Sequence, residues 1–199
     1  MANTAICAEI TGEIDLSCIR NLAKKYFQEV VIINFNDIDR TASVVGNFDT
    51  LCDYTVQMVL KSGKKGVMFK IPETSGSIFG TAAKTTADVT GLPQYLHLVQ
   101  ILAMGIKSEI KCLLDKLGRG KFVVAAQLAD GTVEIYGWEN GLSTGDFTID
   151  IAGGGGASVV PLQSKDTEQE SMLPLIYKPQ TGGDANADFN EQFAAPPIP

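Results

Sequence analysis

Residues able to do chemistry are sparse and scattered in this chain of 199 residues. His97 is the only histidine, set in the apolar run QYLHLVQILA. One imidazole cannot build a histidine-rich metal site, and a Ser-His-Asp triad would have to use it without any G-x-S-x-G elbow. A packed or interface histidine is expected instead. Gly153–Gly156 is followed by no Lys-Ser/Thr pair and by no helix, so it is a flexible turn rather than a phosphate loop. Gly118-Arg119-Gly120-Lys121 comes after a helix, the wrong end for anion binding. Asp37 and Asp39 lack the D-x-D-x-D-G pattern and distal Glu of a calcium loop, and suit a solvated turn. Glu9, Glu13 and Asp15 are expected on the surface. Cys7, Cys18, Cys52 and Cys112 form no C-x-x-C pair and are expected as buried thiols rather than zinc ligands. The expectation is therefore no catalytic, cofactor-binding or metal-binding residue, and not an enzyme.

Two groupings are better suited to contact than to catalysis. Lys61, Lys64, Lys65 and Lys70 cluster on and around a turn, with Lys64 and Lys65 at its tip. They could meet phosphate or an acidic neighbour; a solvated turn is the alternative. Tyr136 and Trp138 are aromatics of the kind enriched at interface cores, with ordinary core packing as the alternative. Tyr136, Trp138, Lys64 and Lys65 are the candidate interface residues.

The elements that must position these groups are mostly strands. Ile106, Ile110, Leu113, Leu114 and Leu117 form one apolar stripe of helical period, predicting a helix over 106–117 closed by Gly118 at positive φ. A hairpin follows over 122–138. Asp130-Gly131 signals a two-residue turn, pairing Ala126 with Ile135 and Ala125 with Tyr136. That register puts Tyr136 and Trp138 on one face. Val30–Ile33 is a β-branched strand, followed by a polar loop over 34–40. Residues 54–61 and 67–71 are predicted as a second hairpin, and 94–103 as a strong strand in which Tyr95, His97, Val99 and Ile101 share a face. Residues 73–92 suit a long loop, or weak strands ordered only against a neighbouring copy. Asp146–Ile151 and Ser158–Lys165 are further strands, and Leu173–Lys178, bracketed by prolines, an edge strand.

Hydrophobic residues at 45% and charged residues at 20% describe a globular chain. The net charge of −7 argues against wrapping nucleic acid through a basic surface. No run approaches the roughly 18 apolar residues of a membrane span, and no signal peptide is evident. A cytoplasmic origin is expected. Residues 161–199 hold six carboxylates and two lysines, a net of −4. The expected organisation is one β-rich domain over 1–179 and a flexible acidic, Pro-rich tail over 180–199. The fold class is mainly β: a β-sandwich or barrel flanked by one α-helix.

The order of two strand pairs, a long strand entering a single helix, and a D-G hairpin with further strands resembles the tail-tube proteins of tailed bacteriophages. The phrase LDKLGRGKFVVAAQLADGTVEIYGWENGL is similar to structural proteins of phages and prophages of gut Bacteroidetes. The likeness covers residues 20–165 as element order. It implies a virion protein whose hexameric rings stack into a tube, with a loop such as 36–53 or 73–92 reaching the next ring. An acidic lumen would let DNA slide without gripping it. Partners would be other copies and other tail or neck proteins, with no cofactor and no membrane. A capsid decoration, neck or tail-completion role is the alternative within this class. A carbohydrate- or ligand-binding β-sandwich with an aromatic cleft near Tyr136 and Trp138 is the alternative outside it.

Overall fold

A computed structural model describes residues 29–70, 79–87, 91–104, 107–128, 130–149 and 157–194. Two sheets carry the fold, and it is mainly β as expected. The elements are β1 (Glu29–Asn34), β2 (Val44–Val45), α1 (Phe48–Leu51), β3 (Thr55–Gln57), β4 (Val67–Lys70), β5 (Phe79–Thr86) and β6 (Pro93–Met104). They continue with α2 (Ser108–Leu117), β7 (Phe122–Gln127), β8 (Val133–Tyr136), β9 (Ser143–Thr144), β10 (Ala157–Gln163), β11 (Leu175–Tyr177) and α3 (Ala185–Asn190). The first sheet runs β2-β3-β11-β8-β7-β1-β4 and the second β5-β6-β10-β9.

The first sheet is buried on both sides, which explains the unbroken apolar runs Val30–Ile33 and Phe122–Ala126. One side carries Val30, Ile32, Val124, Ala126 and Tyr136, packed against Val99, Ile101, Val160 and Leu162 of the second sheet. Helix α2 seals this core with Leu114 and Leu117, while Ile110 and Leu113 are partly buried beside them. Each fully buried leucine contributes about 1.5–3 kcal/mol. Gly118 ends α2 in the right-handed region, at φ −64°, with its N–H on Leu114 O at 2.9 Å; the positive φ expected there is not needed. Thr144 Oγ1 instead donates to Leu117 O at 2.7 Å, satisfying a terminal carbonyl.

The other side carries Val31, Ile33, Val123, Ala125, Ile135 and Leu175. It is covered by Ile38, Met58 and Leu60 and by Phe189 and Phe193 from the chain's last described residues. The expected flexible tail is thus corrected over 184–194. Asp184 caps α3 through Asn186 N, Phe189 is fully buried, and Tyr177 donates to Asp188 at 2.7 Å. Residues 195–199 lie outside the described residues.

Four other expectations are corrected. The 54–61 and 67–71 segments form no hairpin: β3 joins β2 and β11, while β4 joins β1. β11 is not an edge, since it lies between β8 and the parallel β3; its flanking prolines sit outside the paired residues. Within the expected loop 73–92, β5 pairs along eight residues with β6 of the same chain. The described residues 145–149 hold no strand, although Phe147 packs on the first core. Residues 150–156, including the glycine run, lie outside the described residues.

Candidate functional site

The hairpin β7–β8 decides where the two candidate aromatics go. Leu128 N donates to Thr132 O at 2.7 Å and Gly131, at φ +88°, donates to Leu128 O at 3.0 Å. The loop therefore spans three residues rather than two, of which Ala129 lies outside those described. One extra loop residue shifts the register by one, so Val124 faces Tyr136 and Ala125 faces Ile135. Tyr136 thereby turns toward the second sheet. Gly137 at φ +71° then breaks the strand alternation, and Trp138 packs on the opposite side of the first sheet. The two aromatics are 4% and 6% exposed, in separate cores. They are core residues of this chain, which corrects both their expected common face and their assignment to an interface. It also removes the aromatic cleft that a carbohydrate-binding module would need.

Around them lies a buried polar cluster that joins the sheets. Tyr136 packs edge-on to His97, centroids 5.7 Å apart, and donates from its hydroxyl to Glu134 at 2.6 Å. Burial pushes the Tyr136 phenol far above its ordinary value, with the Glu134 carboxylate adding to the effect. Its ring lies so close under Gly80 of β5 that a Cβ there would sit 2.5 Å from it. His97 is 1% exposed. Its Nδ1 accepts from Gly137 N at 3.1 Å, so the neutral ring carries its proton on Nε2 and donates to Met172 O at 3.0 Å. Burial lowers its pKa to about 4, against a smaller opposing effect of the Met172 bond. The packed histidine expected from sequence is what the structure contains.

Glu170 is the second buried ionisable group, fully shielded from solvent. Its two carboxylate oxygens accept from Glu139 N at 2.7 Å and Asn140 N at 2.9 Å. Its backbone forms a two-way bridge with Tyr95 of β6, at 2.8 and 3.0 Å. Burial raises its pKa above the usual carboxylate range, while the two N–H bonds and the Arg40 charge oppose this. The Arg40 guanidinium lies 4.0 Å from the Trp138 ring centroid and 4.6 Å from that of Phe35, a double cation–π contact. Asn140 Nδ2 donates to Gln169 O at 2.6 Å, and Ser171 N donates to Glu139 Oε2 at 2.9 Å.

A general acid or base needs a lone pair or proton facing its substrate. His97 uses both ring nitrogens internally and Glu170 both oxygens. Among the described residues no buried side-chain N or O lacks a partner, and no three His, Cys, Asp or Glu side chains gather for a metal. The cluster is a strut: it fixes the 137–142 corner of the first sheet to β6 and to residues 164–172. Sequence reading missed Arg40 and Glu170, because nothing local distinguishes Glu170 from the acidic residues beside it.

The other candidates are on the surface. Lys64 pairs with Asp37 at 3.3 Å and Lys65 is exposed. Asp39 accepts from Thr41 N and Ala42 N, and Asp37 from Asn34 Nδ2, as a solvated turn does. Arg119 pairs with Asp115. Cys52 and Cys112 are exposed, which corrects the expectation of buried thiols; Cys7, Cys18, Glu9, Glu13 and Asp15 lie outside the described residues. Exposed Cys112 sits on the helix face opposite Leu114 and Leu117.

What the surface does present is β5. This eight-residue strand has one described neighbour, β6, and its other side pairs with no described strand. Beside it, the outer face of the second sheet shows Leu96, Leu98 and Leu102 half-buried and Val159 45% exposed. Compared with protein-family models, curated proteins and solved structures, the chain matches none.

Proposed function

We propose that the protein is a self-assembling structural subunit of a virion, of the tail-tube kind, forming stacked rings around a channel through which DNA passes unbound. The observation that carries this reading is the long edge of β5, which no described strand covers. An eight-residue strand edge that no described strand pairs, with Lys84 as its single charge, is an aggregation template in a monomer, and an assembly rule where a second copy covers it. The half-apolar outer face of the same sheet extends the contact beyond backbone pairing. The net charge of −7 suits a channel wall that repels phosphate. The element order of strand, helix and D-G hairpin supports the tail-tube kind among virion proteins. Its site of action is the virion, assembled in a bacterial cytoplasm, with other tail or neck proteins as further partners.

Negative-stain imaging of the purified chain tests this: rings or tubes of constant diameter are expected. Ala83→Lys on the exposed edge strand should leave a folded monomer that forms neither. A wild-type chain that stays monomeric at high concentration overturns the reading, and rings that never stack redirect it to a neck or decoration protein.

A further inference from the structure

The second edge of interest is β4, at the end of the first sheet. It pairs with β1, and its other side pairs with no described strand. Val67, 53% exposed, and Phe69 point from β4 toward α2. Between them and the helix runs a groove of about 610 Å³, floored by Ile32, Leu113, Leu117 and Phe122. Lys116 and Arg119 stand on its rim, Lys65 just before β4, and Lys70 at its end. Arg119 and Lys70 are paired, to Asp115 and Glu29. Lys65 and Lys116 have no ion pair among the described residues. Among its described residues, a protein of net charge −7 thus places two unpaired lysines near one apolar groove and one strand edge without a neighbour.

We propose that β4 and its groove take up an extended segment of a different protein, with apolar side chains at alternate positions and carboxylates among and beyond them. Strand addition to β4 would supply main-chain hydrogen bonds, and the groove would receive every second side chain. The carboxylates would meet Lys65 and Lys116, which steers encounter and fixes orientation. A second copy of this chain is a poorer fit among its described edges: β2 is Val44–Val45, β9 is Ser143–Thr144, β5 carries Lys84 and no carboxylate, and β4 itself ends in Lys70 without a carboxylate. This site lies on a different sheet from β5 and does not depend on the assembly reading.

The test uses the full chain and a fluorescein-labelled, blocked heptapeptide Glu-Val-Glu-Val-Glu-Val-Glu, with Lys replacing Glu in the control. Anisotropy should show binding of the acidic peptide, weakening as salt rises. The lysine peptide, and the acidic peptide against the Lys65→Glu/Lys116→Glu double variant, should each bind about ten-fold more weakly or worse. Amide shifts in NMR spectra should fall on residues 67–70 and 113–122. Equal binding of the two peptides, shifts on β5 instead, or no binding by a folded chain overturns the proposal. The variant's unchanged thermal transition keeps a folding defect from being read as lost affinity.

Discussion

The two sheets share one core but differ in how they end. The seven-stranded sheet is covered on both faces and closes in short edges, the two-residue β2 and the four-residue β4. Among the described residues the four-stranded sheet is covered on one face only and ends in the eight-residue β5. The first leaves only short edges, of which β4 borders an apolar groove. The second keeps a long hydrogen-bonding edge and a half-apolar face, which in a working protein call for a neighbour. Between them stands the strut of His97, Tyr136, Glu170 and the 137–142 corner, which ties the two sheets together through hydrogen bonds.

The largest effect is expected where the seven-stranded sheet is covered by the last described residues. Phe189→Ala empties a fully buried site in the core that also holds Leu175 and Val133 and should cost about 3–5 kcal/mol in urea unfolding. A value near zero would return residues 184–194 to the status of a tail and leave the far face of the first sheet as open as the second.

The strut gives the next two. His97 has its folded pKa lowered to about 4, so between roughly pH 6.5 and 4 the unfolded chain binds more protons than the folded one. Stability should fall as pH drops through that window, by roughly 3 kcal/mol in total, and the fall should shrink in His97→Asn. Urea midpoints from pH 7 to 4 for both proteins check this; parallel curves would mean the imidazole is not held neutral. Glu170→Ala leaves the Glu139 and Asn140 N–H groups without acceptors and Arg40 without its facing charge. It should cost about 2–3 kcal/mol, with amide exchange rising first at residues 138–140. Glu170 acts opposite to His97: its raised pKa means the folded state keeps its proton to higher pH than the unfolded chain, so its contribution falls as pH rises through that interval.

The smallest effect on stability is expected at the β5 edge. Ala83→Lys should change unfolding free energy by no more than about 0.5 kcal/mol. The same change should abolish rings in the electron microscope. Stability lost along with assembly would show that β5 is part of the folded core after all.

Much of this architecture was legible in residue order. The stripe Ile110, Leu113, Leu114 and Leu117 marked α2, and the alternation from Tyr95 to Ile101 marked β6, because each element buries one face and its period records which. Asp184 carried an N-cap signal that composition alone hides under Gly, Asn and Pro, whereas Phe193 lies past the end of α3, at φ +55°. Strand partners were less legible. Two adjacent strands with a turn between them read as a hairpin, yet β3 and β4 go to different neighbours, since pairing is chosen by the faces available across the whole fold.

By itself the sequence determined the class of the fold, the helix α2 and the packed histidine, for these rest on short-range period and residue chemistry. The tertiary structure alone decided the rest. One added residue in the 129–131 loop and the positive φ of Gly137 sent Tyr136 and Trp138 to opposite cores. Contacts between residues 30 to 75 positions apart made Glu170 and His97 a strut. The topology left β4 and β5 each with one side that no described strand pairs. Burial and pairing at such separations depend on where the backbone carries each group, and no local pattern encodes that.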